Sequence, residues 1–217
     1  MRLLKKPEII EIFTQFALEN PAPLTELEAP NEFCLLIAIL LSAQATDIAV
    51  NKATHTLFAL APTPQAMLEL GEDNIKSHIK TIGLFNSKAK NIMLLCSTLL
   101  NDYGGIIPET VDELQKLAGV GRKTANVWLN CVRGAPLIAV DTHVFRVGNR
   151  TGLCKAQNTL QCELQLHRKV PKQFLQYAHN WLILHGRYIC KARKPECHNC
   201  NIATICQFPN KILNRLS

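Results

Sequence analysis

The stretch TVDELQKLAGVGRKTANVWLNC, residues 110–131, places a short turn between two helical patterns. An amphipathic helix is predicted to end near Leu117, and a second helix is predicted to begin near Arg122. The turn contains Gly119 and Gly121, which permit positive φ angles and a close approach of the backbone to a ligand. The first amides of the second helix would then face an anion such as a phosphate. An ordinary helical hairpin with a glycine after its first helix has the same pattern.

The rest of the 217-residue chain also shows helical periodicity. No short run alternates apolar and polar residues between turn residues, as a half-buried strand would. Thr63-Pro64 is typical of a helix cap followed by a first-turn proline, and Thr110 with Glu113 is typical of a capping box. The segment 79–92 repeats the arrangement of two helical patterns around a glycine. The sequence therefore predicts an all-α fold.

The composition is that of a globular protein. With 47% hydrophobic and 19% charged residues, the chain differs from disordered proteins and can bury a core of normal size. The longest apolar run, residues 33–41, is about half as long as a bilayer span. The N-terminal segment has Pro7, Glu8 and Glu11 where a signal peptide needs apolar residues. We expect no membrane association and a cytoplasmic location, near the nucleoid if the source is bacterial.

The cysteines and the positive charge both point to the C-terminal segment. In a reducing compartment, cysteines are more often thiols or metal ligands than disulfides. Five of the nine cysteines are scattered among apolar residues, and the other four are Cys190, Cys197, Cys200 and Cys206. Their spacing suits zinc or an iron–sulfur cluster and does not distinguish between the two. From residue 186 onward, six basic residues accompany one acidic residue, which favours a polyanionic partner but also fits an ordinary charged surface.

Several segments together resemble the endonuclease III family of helix-hairpin-helix DNA glycosylases. The segments extend over most of the chain and are LLSAQATD (40–47), IGLFNSKA (82–89), GVGRKTANV (119–127), VDTHVFRV (140–147) and WLILHGRYIC (181–190), followed by the clustered cysteines. The hairpin departs from the family at Ala118, where the family usually has proline. We expect this change to loosen the turn slightly without affecting its amides or Lys123.

The resemblance implies a two-domain, all-α helix-hairpin-helix glycosylase fold with the active-site cleft between the domains. One domain would be a six-helix barrel of residues 25–135 that contains the helix-hairpin-helix at about 110–132. The other domain, residues 1–24 with 136–217, would bind a [4Fe-4S] cluster through the four clustered cysteines. Such a cluster would fix a short basic segment that is too small to have its own core.

The resemblance also implies which residues contact DNA. Phosphates would be bound by the hairpin and by the basic loop between the first two clustered cysteines. The expected phosphate-contacting residues are Gly119, Val120, Gly121, Arg122, Lys191, Arg193 and Lys194. The resemblance also implies that Gln44 and Leu84 fill the gap that a flipped nucleotide leaves in the duplex. The ordinary interpretations are a polar loop residue for Gln44 and a core residue for Leu84.

Lys123 and Asp141 are the expected catalytic residues. A lysine nucleophile must be neutral when it attacks, and a neighbouring positive charge such as that of Arg122 favours the neutral form. A simple phosphate contact would also explain a lysine at position 123. Asp141 has the sequence pattern of a helix N-cap. In the family, the matching aspartate is the catalytic carboxylate that stabilises an oxocarbenium-like sugar and assists proton transfer. His143 and Asp47 are weaker candidates, interpreted as a packed histidine and a helix cap.

The predicted function is that of a bifunctional DNA glycosylase and AP lyase in base excision repair. It would remove oxidised pyrimidines from damaged double-stranded DNA and cleave 3′ to the abasic site by β-elimination through a lysine Schiff base. We expect a monomer. Adenine-mismatch glycosylases share the hairpin and the cluster, but they lack this lysine and have a further C-terminal domain, whereas this sequence continues for eleven residues after Cys206. A non-catalytic DNA-binding or redox module is the alternative from a different class.

Overall fold

The structure is a computed structural model that describes residues 2–213. Their regular secondary structure is helical and no β-strand occurs among them, so the prediction of an all-α fold is confirmed. This part of the chain divides into two compact units. One unit is Thr25–Arg133, and the other comprises the described residues before and after it. Among the helices of residues 2–213, none combines the length and the hydropathy that a membrane-spanning segment needs.

Eleven α-helices and one short 3-10 helix occur in the described residues. In chain order they are α1 (Lys6–Glu19), α2 (Glu32–Leu41), α3 (Asp47–Leu60), α4 (Pro64–Leu70), α5 (Glu72–Ile79), α6 (Phe85–Tyr103), α7 (Val111–Leu114), α8 (Arg122–Arg133), α9 (Thr142–Thr151), α10 (Thr159–Lys169), α11 (Lys172–Tyr188) and the 3-10 helix Cys197–Asn199. The unit of residues 25–133 contains α2 to α8, and the other unit contains the remaining helices.

The helix starts show which cap predictions hold. The side chain of Thr63 accepts a hydrogen bond from the amide three residues later at 3.2 Å, and Pro64 begins α4 as predicted. The side chain of Thr110 accepts from the amide of Glu113, also at 3.2 Å. The prediction that Asp47 caps a helix is wrong, because Thr46 caps α3 and Asp47 is the first helical residue.

The central helix of the 25–133 unit is α2, which consists almost entirely of apolar residues and has eight of its ten residues buried. Helix α8 is fixed against it by two interactions. The indole of the fully buried Trp128 donates to the carbonyl oxygen of Glu32 at 2.9 Å, and Arg133 pairs with the Glu32 carboxylate at 2.7 Å. These contacts hold α8 in place from its middle to its C-terminal end.

The other unit has an aromatic core formed by α1 and α11. Phe13 is fully buried and stacks on Phe174 at a ring distance of 5.7 Å, with Trp181 at 6.1 Å. Helix α9 packs closely on α11 at Gly186, where an added Cβ would lie 2.9 Å from the Cβ of His143. The absence of a side chain at Gly186 therefore allows the first turn of α9 to lie against α11.

Candidate functional site

The hairpin differs from the prediction in its first helix and agrees in its second. Helix α7 ends at Leu114, three residues before the predicted end. From there the chain continues in tighter turns, with the amide of Leu117 donating to the carbonyl of Leu114 at 3.1 Å and the amide of Val120 donating to that of Leu117 at 3.0 Å. Helix α8 begins at Arg122, as predicted. The turn is therefore closed by its own backbone bonds before α8 starts.

The two glycines of the turn have different roles. Gly119 has φ +78°, and a Cβ at this position would lie 3.0 Å from the side chains of Leu40 and Asn91. The fold therefore favours glycine over any residue with a side chain at position 119. Gly121 has no positive φ, and an added Cβ would meet no atom within 4 Å. Because no atom of the described residues occupies the space beside Gly121, a ligand can approach the backbone there.

Lys123 lies in the first turn of α8 and is exposed. Within residues 2–213, no hydrogen bond or ion pair of its ammonium is found. The first intrahelical bond here runs from the amide of Ala125 to the carbonyl of Gly121 at 3.0 Å, and the preceding amides of a helix have no partner in that helix. The amide of Val120 is already used in the turn, and its side chain is buried. Anion binding at this end would therefore use the amides after Val120.

Asp141 is the N-cap of α9, as predicted. Its Oδ1 accepts hydrogen bonds from the amides of His143 and Val144, both at 2.8 Å. The residue is half-buried, and in the described part of the chain no donor to Oδ2 is found. Asp141 therefore has one oxygen that fixes the carboxylate and another that can face a substrate.

The segment before Asp141 is held by two histidines. The amide of Ile138 donates to Nε2 of His167 at 3.1 Å, and Nδ1 of the buried His179 donates to the carbonyl of Ala139 at 2.8 Å. His143 is half-buried, with its Nδ1 3.2 Å from the guanidinium of Arg146, in agreement with its interpretation as a packed histidine. The position of the carboxylate is thus determined by contacts on both sides of it.

Three non-glycine residues within residues 2–213 have a positive φ, and all three are expected DNA contacts. They are Gln44 (φ 60°), Leu84 (φ 59°) and Lys194 (φ 51°). All are exposed, and Leu84 at 64% exposure does not belong to the core. A left-handed conformation at a non-glycine residue costs on the order of 1–3 kcal/mol and is more frequent at functional sites than elsewhere. Backbone strain is therefore concentrated where the resemblance expects DNA contacts.

The basic loop after α11 is held by Arg150. Its guanidinium donates to the carbonyl of Lys191 at 2.7 Å and to that of the next residue at 2.9 Å. Lys191 itself forms a short ion pair with Glu196. Arg193 and Lys194 are exposed. The loop therefore presents these two cations to solvent, whereas the charge of Lys191 is partly neutralised.

The four clustered cysteines line one cavity, and the empty space of about 330 Å³ around it includes open solvent. The other side chains around it include Ile189, Ile202 and Phe208. No disulfide involves these cysteines, and burial raises the pKa of Cys200 to about 11. Among the described residues, no group of three or more His, Cys, Asp or Glu side chains is arranged to hold a metal ion. The thiols thus surround a common space without converging on one point.

Comparisons with known proteins agree on one family. Residues 37–172 match the family described as HhH-GPD superfamily base excision DNA repair protein. Endonuclease III of Rickettsia conorii is 56% identical over 198 residues, which cover 91% of this chain and 94% of that protein. Endonuclease III of Haemophilus influenzae is 53% identical over 209 residues, 96% of this chain and 99% of that protein. A solved structure of a trapped endonuclease III–DNA covalent intermediate has a TM-score of 0.89 and 42% identity, and the match covers 94% of this chain and 97% of that one.

The contrast between the two glycines predicts different effects of the same substitution. Gly119→Ala should lower the free energy of unfolding by about 1–3 kcal/mol, because its Cβ is strained by the positive φ and contacts Leu40. Gly121→Ala is the matched control and should change it by less than about 0.5 kcal/mol, since its Cβ has open space. Urea denaturation followed by circular dichroism measures both. Equal losses of stability would show that the turn geometry is not as described.

Proposed function

Because the chain belongs to the endonuclease III family of the HhH-GPD superfamily, we propose that Lys123 and Asp141 perform its reaction. The activity is that of a base excision repair DNA glycosylase with associated AP lyase activity, and its substrate is damaged DNA. We assign oxidised pyrimidines as the bases removed. The observation that supports the assignment of Lys123 is its position in the first turn of α8, exposed and directly after the glycine turn.

Lys123 acts as the nucleophile. In its neutral form, Nζ attacks C1′ of the damaged nucleotide, and the C1′–N bond to the base breaks as the C1′–Nζ bond forms. The departing base takes up a proton that Nζ loses. The nitrogen lone pair then forms a carbon–nitrogen double bond as the C1′–O4′ ring bond breaks and O4′ takes up a proton, and the resulting protonated Schiff base makes the C2′ proton acidic. Loss of that proton drives departure of the 3′ phosphate, which is the β-elimination step. Water then releases the sugar fragment and regenerates the lysine.

Asp141 supports the charge that develops during this sequence. Its Oδ1 is fixed by two backbone amides, and its Oδ2 remains available. A carboxylate held in this way stabilises the positive charge on the sugar as the base departs, and it can transfer protons in the later steps. Since the cap bonds already orient the group, little reorganisation is needed at the transition state.

The hairpin and the basic loop bind the phosphates in this proposal. The amides of Gly121, Arg122 and Lys123 face an anion at the positive end of the α8 dipole. Gly119 shapes the turn, and Val120 anchors it. Such contacts position the protein on DNA without reading its sequence. The expected side-chain contributions come from Arg193 and Lys194, with a smaller one from the paired Lys191.

Gln44 and Leu84 fill the space that the flipped nucleotide leaves. An enzyme that acts on a base must take it out of the stack, and the resulting gap is stabilised by an inserted side chain. Both residues are exposed and occupy turns in which the backbone is left-handed. Their exposure and strained conformation support this assignment.

The cysteine cavity fits a [4Fe-4S] cluster. Four thiols around a common apolar space can each bind one corner of a cubane, whereas a single zinc ion needs four sulfurs at about 2.3 Å from one point. Cys190, Cys197, Cys200 and Cys206 would be the ligands. The bound group would hold the ends of the basic loop together, because Cys190 precedes the loop and Cys197 follows it.

The nucleophile is tested by Lys123→Gln. This variant should keep most of its affinity for a duplex with thymine glycol, but it should lose strand cleavage and borohydride trapping, because the amide cannot form a Schiff base. Lys116→Gln, which removes the same charge from the same hairpin, should retain all three. Gel-shift and single-turnover cleavage assays measure these properties. If Lys123→Gln bound several-fold more weakly but cleaved normally at saturating DNA, Lys123 would be only a phosphate contact.

Asp141→Asn separates the cap from the catalytic role. The asparagine Oδ1 can still accept cap bonds, as the Oδ1 of Asn158 accepts one from the amide of Gln161 at the start of α10, so stability should fall by about 1 kcal/mol or less. Turnover should fall by about 100-fold or more, because the negative charge is lost. The control Asn158→Ala should lose about 1 kcal/mol of stability with turnover unchanged. An Asp141→Asn protein with wild-type turnover would leave Asp141 only its cap role.

The cluster is tested by metal analysis. The purified protein should be brown and contain about four irons per chain. Cys200→Ser should reduce the iron content and destabilise the cluster region, whereas Cys131→Ser, outside the cavity, should keep the full iron content. A colourless protein with one zinc per chain would contradict the proposal.

A further inference from the structure

Lys88 in α6 is a lysine whose side chain is withdrawn from solvent. The residue is 6% exposed, and burial lowers the pKa of its ammonium. Burying a charged group is costly unless hydrogen bonds replace its hydration. The hydrogen-bond partners of the Lys88 ammonium therefore indicate what this buried lysine does.

The ammonium of Lys88 binds the C-terminal end of α2 and the turn after it. Its Nζ donates to the carbonyl of Leu41 at 2.8 Å and to the carbonyl of Ala43 at 2.7 Å. Leu41 is the last residue of α2, where carbonyls have no partner within the helix and a positive charge is favoured by the helix dipole. Ala43 immediately precedes Gln44. The ammonium thus fixes the backbone on the N-terminal side of Gln44.

The backbone of Lys88 is bonded to the second strained turn. Its amide donates to the carbonyl of Leu84 at 3.0 Å, which is the first bond of α6. One residue therefore contacts both turns, through its side chain at the Gln44 turn and through its main chain at the Leu84 turn. Both turns hold an exposed side chain in the left-handed conformation.

We propose that Lys88 is a positioning residue that fixes the distance between Gln44 and Leu84, so that both side chains are placed for the gap in the duplex before DNA binds. The inference rests on the proposed function of Gln44 and Leu84. A preformed arrangement avoids the cost of ordering two turns on binding. Lys88 itself is buried with its ammonium bonded to two carbonyls, so in this proposal it acts through the two turns and not by contact with the substrate.

The test compares two substrates that differ in their need for gap filling. Base excision from a duplex with one thymine glycol requires the gap to be filled, whereas β-elimination on a single-stranded oligonucleotide with one abasic site does not. Lys88→Met keeps the length of the side chain but leaves both carbonyls without their donor. Its single-turnover rate on the duplex should fall by about tenfold or more, since small misplacements near a reaction have effects of this size. Its rate on the single strand should stay within about threefold of wild type.

Lys90→Met is the matched control, because Lys90 is exposed on the same helix and the substitution removes the same charge. Both of its rates should remain within about twofold of wild type. Gln44→Ala should show the same duplex-specific loss as Lys88→Met, and the double variant should lose much less than the product of the two single losses. Equal changes on the two substrates, or additive losses in the double variant, would overturn the positioning role.

Lys88→Gln provides a second variant if Lys88→Met does not fold, because its amide can still donate to one carbonyl. It should fold and show an intermediate, duplex-specific loss. If neither variant folds, the residue is purely structural and the proposal is wrong. A wild-type protein without activity on either substrate would instead contradict the proposed function, so the two failures are distinguishable.

Discussion

The turn before α8 is the constraint on which the catalytic assignment depends. Gly119 adopts a positive φ where a side chain would collide with Leu40 and Asn91, and this conformation brings the chain to Arg122 in position to begin a helix. Trp128 and Arg133 then hold that helix against α2 through Glu32. The position of Lys123 follows from these contacts. An exposed lysine in a flexible loop would lack such orientation, although its chemistry would be the same.

Orientation by backbone bonds also occurs at the other expected contacts. Asp141 is held by two amides of α9, and the turn before Gln44 is held by the ammonium of Lys88. Gln44 and Leu84 both remain in a conformation that a free peptide would seldom adopt. The surrounding bonds stabilise this conformation, so the free energy of folding compensates for local strain at the residues expected to contact DNA.

The features that depend on neighbouring residues could be predicted from the sequence. The start of α8, the Thr63 cap and the Asp141 cap all follow from local patterns, since a cap bond joins residues two or three positions apart. The end of the hairpin's first helix could not be predicted in this way. The turns after Leu114 use hydrogen bonds between residues three positions apart, which the spacing of apolar residues does not reveal. The sequence interpretation places the cap of α3 one residue too late, at Asp47, because the preceding Thr46 is also a good cap residue.

Contacts between distant segments could not be predicted in this way. The resemblance singled out Gln44 and Leu84, but no local pattern shows that both have a left-handed backbone. Nor does a local pattern show that the side chain of Lys88 is buried against a turn more than forty residues earlier in the chain. The IGLFNSKA motif contains Lys88 as one more polar residue of an amphipathic helix. Likewise, the KARKPE loop suggested three equivalent cations, whereas the structure pairs Lys191 with Glu196. These differences arise from tertiary packing.

The central claim is that Lys123 forms the covalent bond to the sugar. The most direct measurement is borohydride reduction of the wild-type protein on a duplex with thymine glycol, followed by proteolysis and mass spectrometry of the peptide joined to DNA. The account predicts a single adduct on Nζ of Lys123. An adduct on any other amine of the chain, with Lys123 unmodified, would contradict it.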